Sequence, residues 1–441
     1  MAEYKRPVSE KAFKKNFALK KPLMNDTEAY YESSRCLFCY DAPCIKACPT
    51  GIDIPLFIKQ IHTKNTEGAA KTIYDSNWLG NACGTVCPTG VLCEGACVYN
   101  HQDVQPLQIG RLQHYATTSV IDGSKKLYNV GDLNGLKIAV IGAGPAGIAC
   151  ACEARALGYK VDVFEAKEQP TGLTVHGIAP YKITNEEVLK EFAFLQNQLG
   201  FNVKYNNAIT SKKKLKDLES KYDAIFIGVG LGKTSVLGIE GENINGVVGA
   251  VEFIEELRMK HHLVQVPNKV IVLGGGNTAM DAASEAARMG AHEVTLTYRR
   301  SKEEKGAYEF EYDLAKSAGV KGVFNCTPVE IIGKNKVEAV KFVKTQKFED
   351  KLHPVVGTDF IIECDMVIKA TGQAKQGHLY ELIEKLEIDN KTRIIVNSES
   401  FQTSNPKYFA GGDAINGGAE VVNAAYDGKM AAQGIHKWLT K

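Results

Sequence analysis

One pattern occurs twice in this chain, about 130 residues apart, and it restricts the fold more than any other feature. In the first copy, "LKIAVIGAGPAGIACACEARALGYKVDVFEAK", the run Leu136–Ile141 reads as a buried strand. Gly142-x-Gly144-x-x-Gly147 then opens a helix, and a second strand, Lys160–Phe164, ends at Glu165. Each part has a physical task. Gly142 permits the tight turn, Gly144 lets the backbone approach a pyrophosphate, and Gly147 lets helix and strand pack closely. The helix N-terminus offers unpaired N–H groups and a favourable dipole, and Glu165 is placed to bond ribose hydroxyls. A lone glycine triplet means little. Set in strand–turn–helix–strand–acid order, it specifies a dinucleotide-binding unit on a parallel sheet.

In the second copy, "NKVIVLGGGNTAMDAASEAARMGAHEVTLTYRRS", Gly274-x-Gly276-x-x-Ala279 again follows a strand, with Asn277 and Thr278 at the helix start. Its second strand ends in Tyr298-Arg299-Arg300 rather than in an acid. An acid would bind a 2′-hydroxyl and repel a 2′-phosphate, whereas arginine accommodates the phosphate. The pair leans toward NADPH over NADH, with two solvated arginines at a strand end as the alternative. Two such units suggest one site for FAD and one for a nicotinamide. The second unit reads as inserted into the first, with "YDAIFIGVGLG" (222–232) and "DMVIKATGQ" (365–373) as crossing points. Downstream, a strand reaches Gly411-Gly412-Asp413 and a helix begins near Ala419. Asp413 could bond a ribityl hydroxyl, and the helix N-terminus at Glu420–Val421 could face the flavin carbonyls. This organisation looks like the two-dinucleotide-domain flavoprotein fold of the glutathione reductase type. The disulfide reductases of that fold carry Cys-x4-Cys near the flavin. No such pair follows Glu165, and Cys150 and Cys152 sit behind the glycine loop. Electrons entering FAD are therefore expected to leave by another route.

The first hundred residues offer that route. "CLFCYDAPCIKACPTG" begins at Cys36 and "CGTVCPTGVLCEGAC" spans Cys83 to Cys97, so eight of the twelve cysteines are clustered. The chain has 441 residues, which suggests two to four domains, and a net charge of +2, which argues neither for nor against nucleic acid. No apolar run approaches the roughly 18–20 residues of a membrane span, and "MAEYKRPVSEKAFKKNF" lacks the apolar stretch of a secretory signal. A cytoplasmic protein is expected, and disulfides are rare there. Structural zinc prefers paired Cys-x-x-Cys, but only Cys36 and Cys39 have that spacing, and His62, His101 and His114 are isolated and expected at the surface. Iron–sulfur ligation fits better, because ferredoxin-type runs end in Cys-Pro, as Cys48-Pro49 and Cys87-Pro88 do. Ile54, Phe57, Ile58 and Ile61, then Ala69, Ala70 and Ile73, follow helical spacing between the clusters. Counting alone gives eight thiols to two [4Fe-4S] clusters. Cys150, Cys152, Cys326 and Cys364 are expected as small buried hydrophobes.

With these motifs together, the whole chain resembles the electron-input module shared by dihydropyrimidine dehydrogenase and the small subunit of bacterial glutamate synthase. "CLFCYDAPCIKACP", the long spacing of "CGTVCPTGVLC" and "IGRLQHYA" (109–116) bring it closer to dihydropyrimidine dehydrogenase. The resemblance implies one cluster on Cys36, Cys39, Cys44 and Cys97, and a second on Cys48, Cys87, Cys93 and Gln113, with Cys83 binding no iron. Counting thiols would have chosen Cys83 over Gln113. The implied fold is α/β: a helical double iron–sulfur domain (1–128), an FAD domain (129–232 and 372–441) and a nested NAD(P)H domain (233–371). By the same resemblance, Gly172 and Leu173 belong to a flavin-binding turn, and Lys182 is the catalytic-site cation near flavin and cluster. Thr171 stands where the family has glycine, and Lys182 where arginine is common. The loop "SKEEKGAYEFEYDLA" after Arg300 also departs from the usual sequence. His176 is expected in a solvent-side loop. After the last helix no residues remain for an FMN barrel. The chain is therefore expected to be the separate input subunit of a heterotetramer, serving an FMN partner that reduces uracil or thymine. A glutamate synthase small subunit or another input subunit is the alternative. A non-catalytic assembly module holding structural zinc is the rival from another class.

Overall fold

The computed structural model describes residues 4–441. The chain divides into two compact units. Among the described residues, one comprises residues 4–19, His176–Tyr181 and Gly232–Ala374, and the other Lys20–Val175, Lys182–Leu231 and Lys375–Lys441. Among the described residues no helix is long and apolar enough to cross a membrane.

The larger unit begins with helices. Ile54–His62 and Thr66–Ser76 start where Asp53 and Asn65 accept backbone N–H bonds from Leu56 and Gly68. The apolar positions spaced at three and four face inward: Phe57, Ile58, Ile61 and Ile73 are buried against Leu112 and Ala116 of the Ile109–Asp122 helix. Each such side chain contributes about 1.5–3 kcal/mol by leaving water. The short helix Gly80–Val86 crosses Ile109–Asp122 closely, because a Cβ on Gly110 would lie 2.6 Å from the Gly84 carbonyl oxygen. The same unit holds a five-stranded parallel sheet in the order Tyr408–Ala410, Ala224–Ile227, Lys137–Ile141, Lys160–Phe164, Asn202–Lys204. Against it lie Pro145–Ala156 and Val421–Leu439, with Ile138, Val140, Cys150 and Cys152 in the shared core.

The smaller unit repeats the plan. Its parallel sheet runs Val247–Gly249, Met366–Lys369, Lys269–Leu273, Glu293–Tyr298, Lys321–Phe324. In each sheet the strand feeding the glycine loop is central, with its neighbours reached by connections in opposite directions. That is where α/β sheets open a crevice for ligands. An antiparallel layer of Cys326–Ile332, Ala339–Phe348, Lys351–Pro354 and Phe360–Glu363 completes this unit and buries Cys326 and Cys364. Its two ends are zipped together, Gly232 N–H to the Ala374 carbonyl and Ala374 N–H to that of Lys233, both at 2.8 Å. The expected helical domain started at residue 1, but residues 4–19 belong here. The Asn16 amide donates to the Arg288 carbonyl at 2.7 Å, and Tyr4 and Tyr181 face the Arg288 guanidinium.

Candidate functional site

The first glycine loop has three glycines with three different surroundings. Gly142 has φ +98°, and a Cβ there would sit 2.5 Å from the Gly228 carbonyl oxygen. A Cβ on Gly147 would sit 1.9 Å from the Gly142 carbonyl oxygen, so strand and helix touch through bare backbone. Gly144, the residue before Pro145–Ala156, would meet nothing nearer than 3.8 Å. A helix N-terminus therefore opens onto a space that a side chain would fill, which fits a diphosphate. Glu165 is buried, and its oxygens accept the Ala143 N–H at 2.7 Å and the Lys167 N–H at 2.8 Å. It braces the loop, and each oxygen keeps a lone pair for a ribose hydroxyl. Thr171 and Gly172 close over the loop in left-handed conformations, φ +73° and +52°. The Thr171 N–H donates to the Ala143 carbonyl at 2.7 Å, and a Cβ on Gly172 would lie 3.0 Å from Gly144 Cα. A β-branched residue in that region costs about 1–3 kcal/mol. Leu173 opens a single helical turn, Leu173–His176, and His176 is buried rather than solvent-side, 3.4 Å from the Glu255 carboxylate. Lys182 is half-buried between fully buried Tyr181 and Ile183.

From the other end of the chain, Gly412 N–H donates to Asp427 at 2.9 Å, and Asp413 accepts the Ala419 N–H at 3.1 Å. Burial raises the Asp413 carboxyl pKa, while Ala419 N–H and Lys375 pull it back. Burial lifts Asp427 to about 6. The helix begins at Val421 with Glu420 as its cap, so its N-terminus lies at Glu420–Val421.

The second loop differs in one respect. Gly274 has φ +155° and lies against the Ala370 carbonyl, while Gly276 has open space where a Cβ would point. Ala279 is fully buried, Asn277 and Thr278 form the first turn, and Thr278 is exposed. Arg299 and Arg300 are exposed at the strand end, and Arg300 reaches the Tyr298 hydroxyl at 3.4 Å. The loop that departs from the family pattern folds back here. Ala307 N–H donates to the Gly275 carbonyl at 2.9 Å, and Tyr308 N–H to Asn277 Oδ1 at 3.1 Å. Nothing in its composition pointed to this contact.

The cysteines form two groups. Cys36, Cys39, Cys44 and Cys97 line one cavity whose remaining wall, including Ala42, Ile54, Ile58 and Leu107, is apolar. Burial, followed by the neighbouring Cys36 and Cys97, pushes the Cys44 thiol up to about 11, and burial raises Cys36 as well. Such thiols give up their protons when a cation takes its place. Among the described residues no three His, Cys, Asp or Glu side chains converge as ligands of a single ion do. Four thiols around one cavity instead suit a polynuclear cluster, and none of the cysteines is in a disulfide.

In the second group, burial raises Cys93, with Glu94, Cys87 and Cys48 adding to it. Cys87 is raised by a hydrogen bond with the Cys83 thiol and by burial; Lys21 lowers it and Glu420 raises it further. Lys21 also donates to the Cys87 carbonyl at 3.1 Å. Gln113 is buried, and its amide nitrogen donates to the Gly80 carbonyl at 2.6 Å, which leaves Oε1 as the atom available to a metal. Its neighbour His114, expected at the surface, is buried beneath Gly84. Sequence reading also missed Glu191. This fully buried carboxylate accepts Asn81 N–H at 2.6 Å, Ala82 N–H at 3.0 Å and the Tyr74 hydroxyl at 3.2 Å. It ties the Asn185–Leu199 helix to the start of Gly80–Val86.

Comparison with known proteins shows the family. Residues 13–124 match the family described as dihydropyrimidine dehydrogenase domain II, 4Fe-4S cluster, and residues 136–428 match pyridine nucleotide-disulphide oxidoreductase. The chain is 34% identical to the glutamate synthase [NADPH] small chain of Escherichia coli K12, over 94% of this chain and 92% of that one. It is 33% identical to the NAD-dependent dihydropyrimidine dehydrogenase subunit PreT of the same strain, over 95% and 96%. Mycobacterium tuberculosis FprA, solved in complex with NADPH, shares the fold at 18% identity and a TM-score of 0.57, covering 69% of this chain and 84% of that one.

Proposed function

The chain belongs to the pyridine nucleotide-disulphide oxidoreductase family, and on that premise we propose that it is the electron-input subunit of a two-subunit dihydropyrimidine dehydrogenase. It is an NAD(P)H-dependent flavin and iron–sulfur oxidoreductase of the type that includes PreT and the glutamate synthase small chain. When bound, NAD(P)H supplies hydride to FAD, and two [4Fe-4S] clusters carry the electrons onward singly.

The chain's own residues hold and orient these groups. Gly142, Gly144, Gly147 and Glu165 shape the FAD diphosphate and ribose site, with Gly172, Leu173, Gly412, Asp413, Glu420 and Val421 around the flavin. Gly274, Gly276, Asn277, Thr278 and Ala279 take the nicotinamide dinucleotide, and Arg299 and Arg300 favour a 2′-phosphate. Lys182 supplies positive charge beside the flavin. Cys36, Cys39, Cys44 and Cys97 hold one cluster, and Cys48, Cys87, Cys93 and Gln113 the other. The observation that carries the reading is that Cys83 and Val422 share one core, with Cys87 and Val421 packed against it. The first turn of the helix assigned to the flavin site packs in one core with a thiol of the second set, so a cluster there would adjoin the flavin.

The partner is proposed to be an FMN protein that reduces uracil or thymine to the 5,6-dihydro form. The anaerobically purified chain is expected to oxidise NAD(P)H with a one-electron dye and to reduce uracil only when the FMN subunit is added. Uracil reduction by this chain alone would overturn the division of labour.

A further inference from the structure

One run of hydrogen bonds joins the loop of Cys87 and Cys93 to the helix of Gln113. Lys21 Nζ donates to the Cys87 carbonyl and to Thr89 Oγ1, both at 3.1 Å. The Thr89 hydroxyl donates in turn to Glu94 Oε2 at 2.7 Å. Glu94 Oε1 accepts the Gly110 N–H at 3.0 Å, at the start of the Ile109–Asp122 helix that carries Gln113 one turn later. Thr89 is buried, and Lys21 and Glu94 are half-buried. The run therefore has an ammonium at the Cys87 end and a carboxylate next to Cys93. Charges held in a half-buried site are screened less than charges in open solvent. The two act in opposite senses on the thiols. A hydrogen bond with Cys83 and burial raise Cys87, and Lys21 opposes them, whereas burial raises Cys93 and Glu94 adds to it.

We propose that Lys21 and Glu94 are positioning residues of the second iron–sulfur site: bridged by Thr89, they fix its ligand segments, and their opposite charges set how readily a cluster there takes an electron. The proposal rests on the assignment of Cys48, Cys87, Cys93 and Gln113 to that cluster. Net charge and hydrogen bonds around a cluster govern its potential. Reduction adds negative charge, so the ammonium favours it and the carboxylate opposes it. Neither side chain binds iron.

The test uses the anaerobically purified full-length chain with its cofactors, as wild type, Lys21→Met, Lys21→Arg and Glu94→Gln. Redox titration followed by electron paramagnetic resonance reads the midpoint potential of each cluster, and iron analysis reads their occupancy. Lys21→Met should lower the potential of one cluster and Glu94→Gln should raise it. The other cluster should stay unmoved, with iron content at the wild-type level. Lys21→Arg keeps the charge and should stay at the wild-type potential. Shifts of the same sign in Lys21→Met and Glu94→Gln, or no shift in either, overturn the proposal, because a merely loosened loop has no reason to reverse sign. Should Lys21→Met lose iron, the direction of the Glu94→Gln shift decides alone. A wild-type chain holding iron for one cluster only, or Gln113→Ala keeping both clusters, overturns the ligand assignment instead, so the two failures read differently.

Discussion

Glu191 shows how much a single side chain can do in this protein. It accepts three hydrogen bonds in a site that excludes water, and burial still holds its carboxyl up at about 7 against an ordinary 4.5. Between those pH values the folded chain keeps a proton that the unfolded chain has released. Stability contributed here therefore falls as pH rises from about 4.5 to about 7, and is level above that. Glu191→Gln removes the titration. Thermal midpoints of the two proteins at pH 5.5 and pH 8 should show the wild type losing ground by roughly 2 kcal/mol relative to the variant. An equal gap at both pH values would contradict the account. The ligands of the second cluster are also a question of single residues. With the Gln113 nitrogen engaged by Gly80, its oxygen is the proposed ligand, and Cys83 serves as a hydrogen-bond partner of Cys87. Cys83→Ser is expected to keep its full iron content, whereas Gln113→Ala loses the second cluster. Iron analysis giving the reverse pattern would move the ligand to Cys83.

At the level of elements, two positions of the glycine motif make opposite predictions for the same substitution. Gly147→Ala puts a methyl group 1.9 Å from the Gly142 carbonyl oxygen, so strand and helix must separate. It should cost several kcal/mol of stability, on the order of an overpacked core, together with FAD binding. Gly276→Ala meets nothing within 4 Å, so the protein should fold with an unchanged midpoint and bind NAD(P)H at least tenfold more weakly. Midpoints and nucleotide titrations of both variants separate the two roles. Local signals made these loops readable from sequence. A glycine triplet between a strand and a helix has few other uses, and the apolar spacing of Ile54–Ile61 left one face for the core. Glu191, the burial of His114 and His176, and the fold-back of Ala307 and Tyr308 onto the second loop were not readable. Each depends on a partner distant in sequence, or on a loop whose path no periodicity describes. The packing of residues 4–19 on the smaller unit was not readable for the same reason, because Asn16 and Arg288 are 272 positions apart.

For the whole molecule, two five-stranded parallel sheets, each with the strand that feeds its glycine loop at the centre, and a helical segment carrying eight cysteines suit a chain that takes reducing equivalents from NAD(P)H and passes them on through iron–sulfur clusters. Cys36, Cys39, Cys44 and Cys97 share a cavity whose remaining wall is apolar. Cys87, of the second set, packs in one core with Val421 and Val422 of the dinucleotide fold. What the chain proposes to deliver is electrons, and the partner decides their use. The most direct measurement is an anaerobic pull-down of the tagged chain from its native cells, with the eluate assayed for NADPH- and NADH-dependent reduction of uracil. The account predicts a co-purifying FMN protein and uracil turnover, faster with NADPH. A large glutamine-hydrolysing partner without uracil turnover would contradict it and assign the same electron-input chemistry to glutamate synthesis.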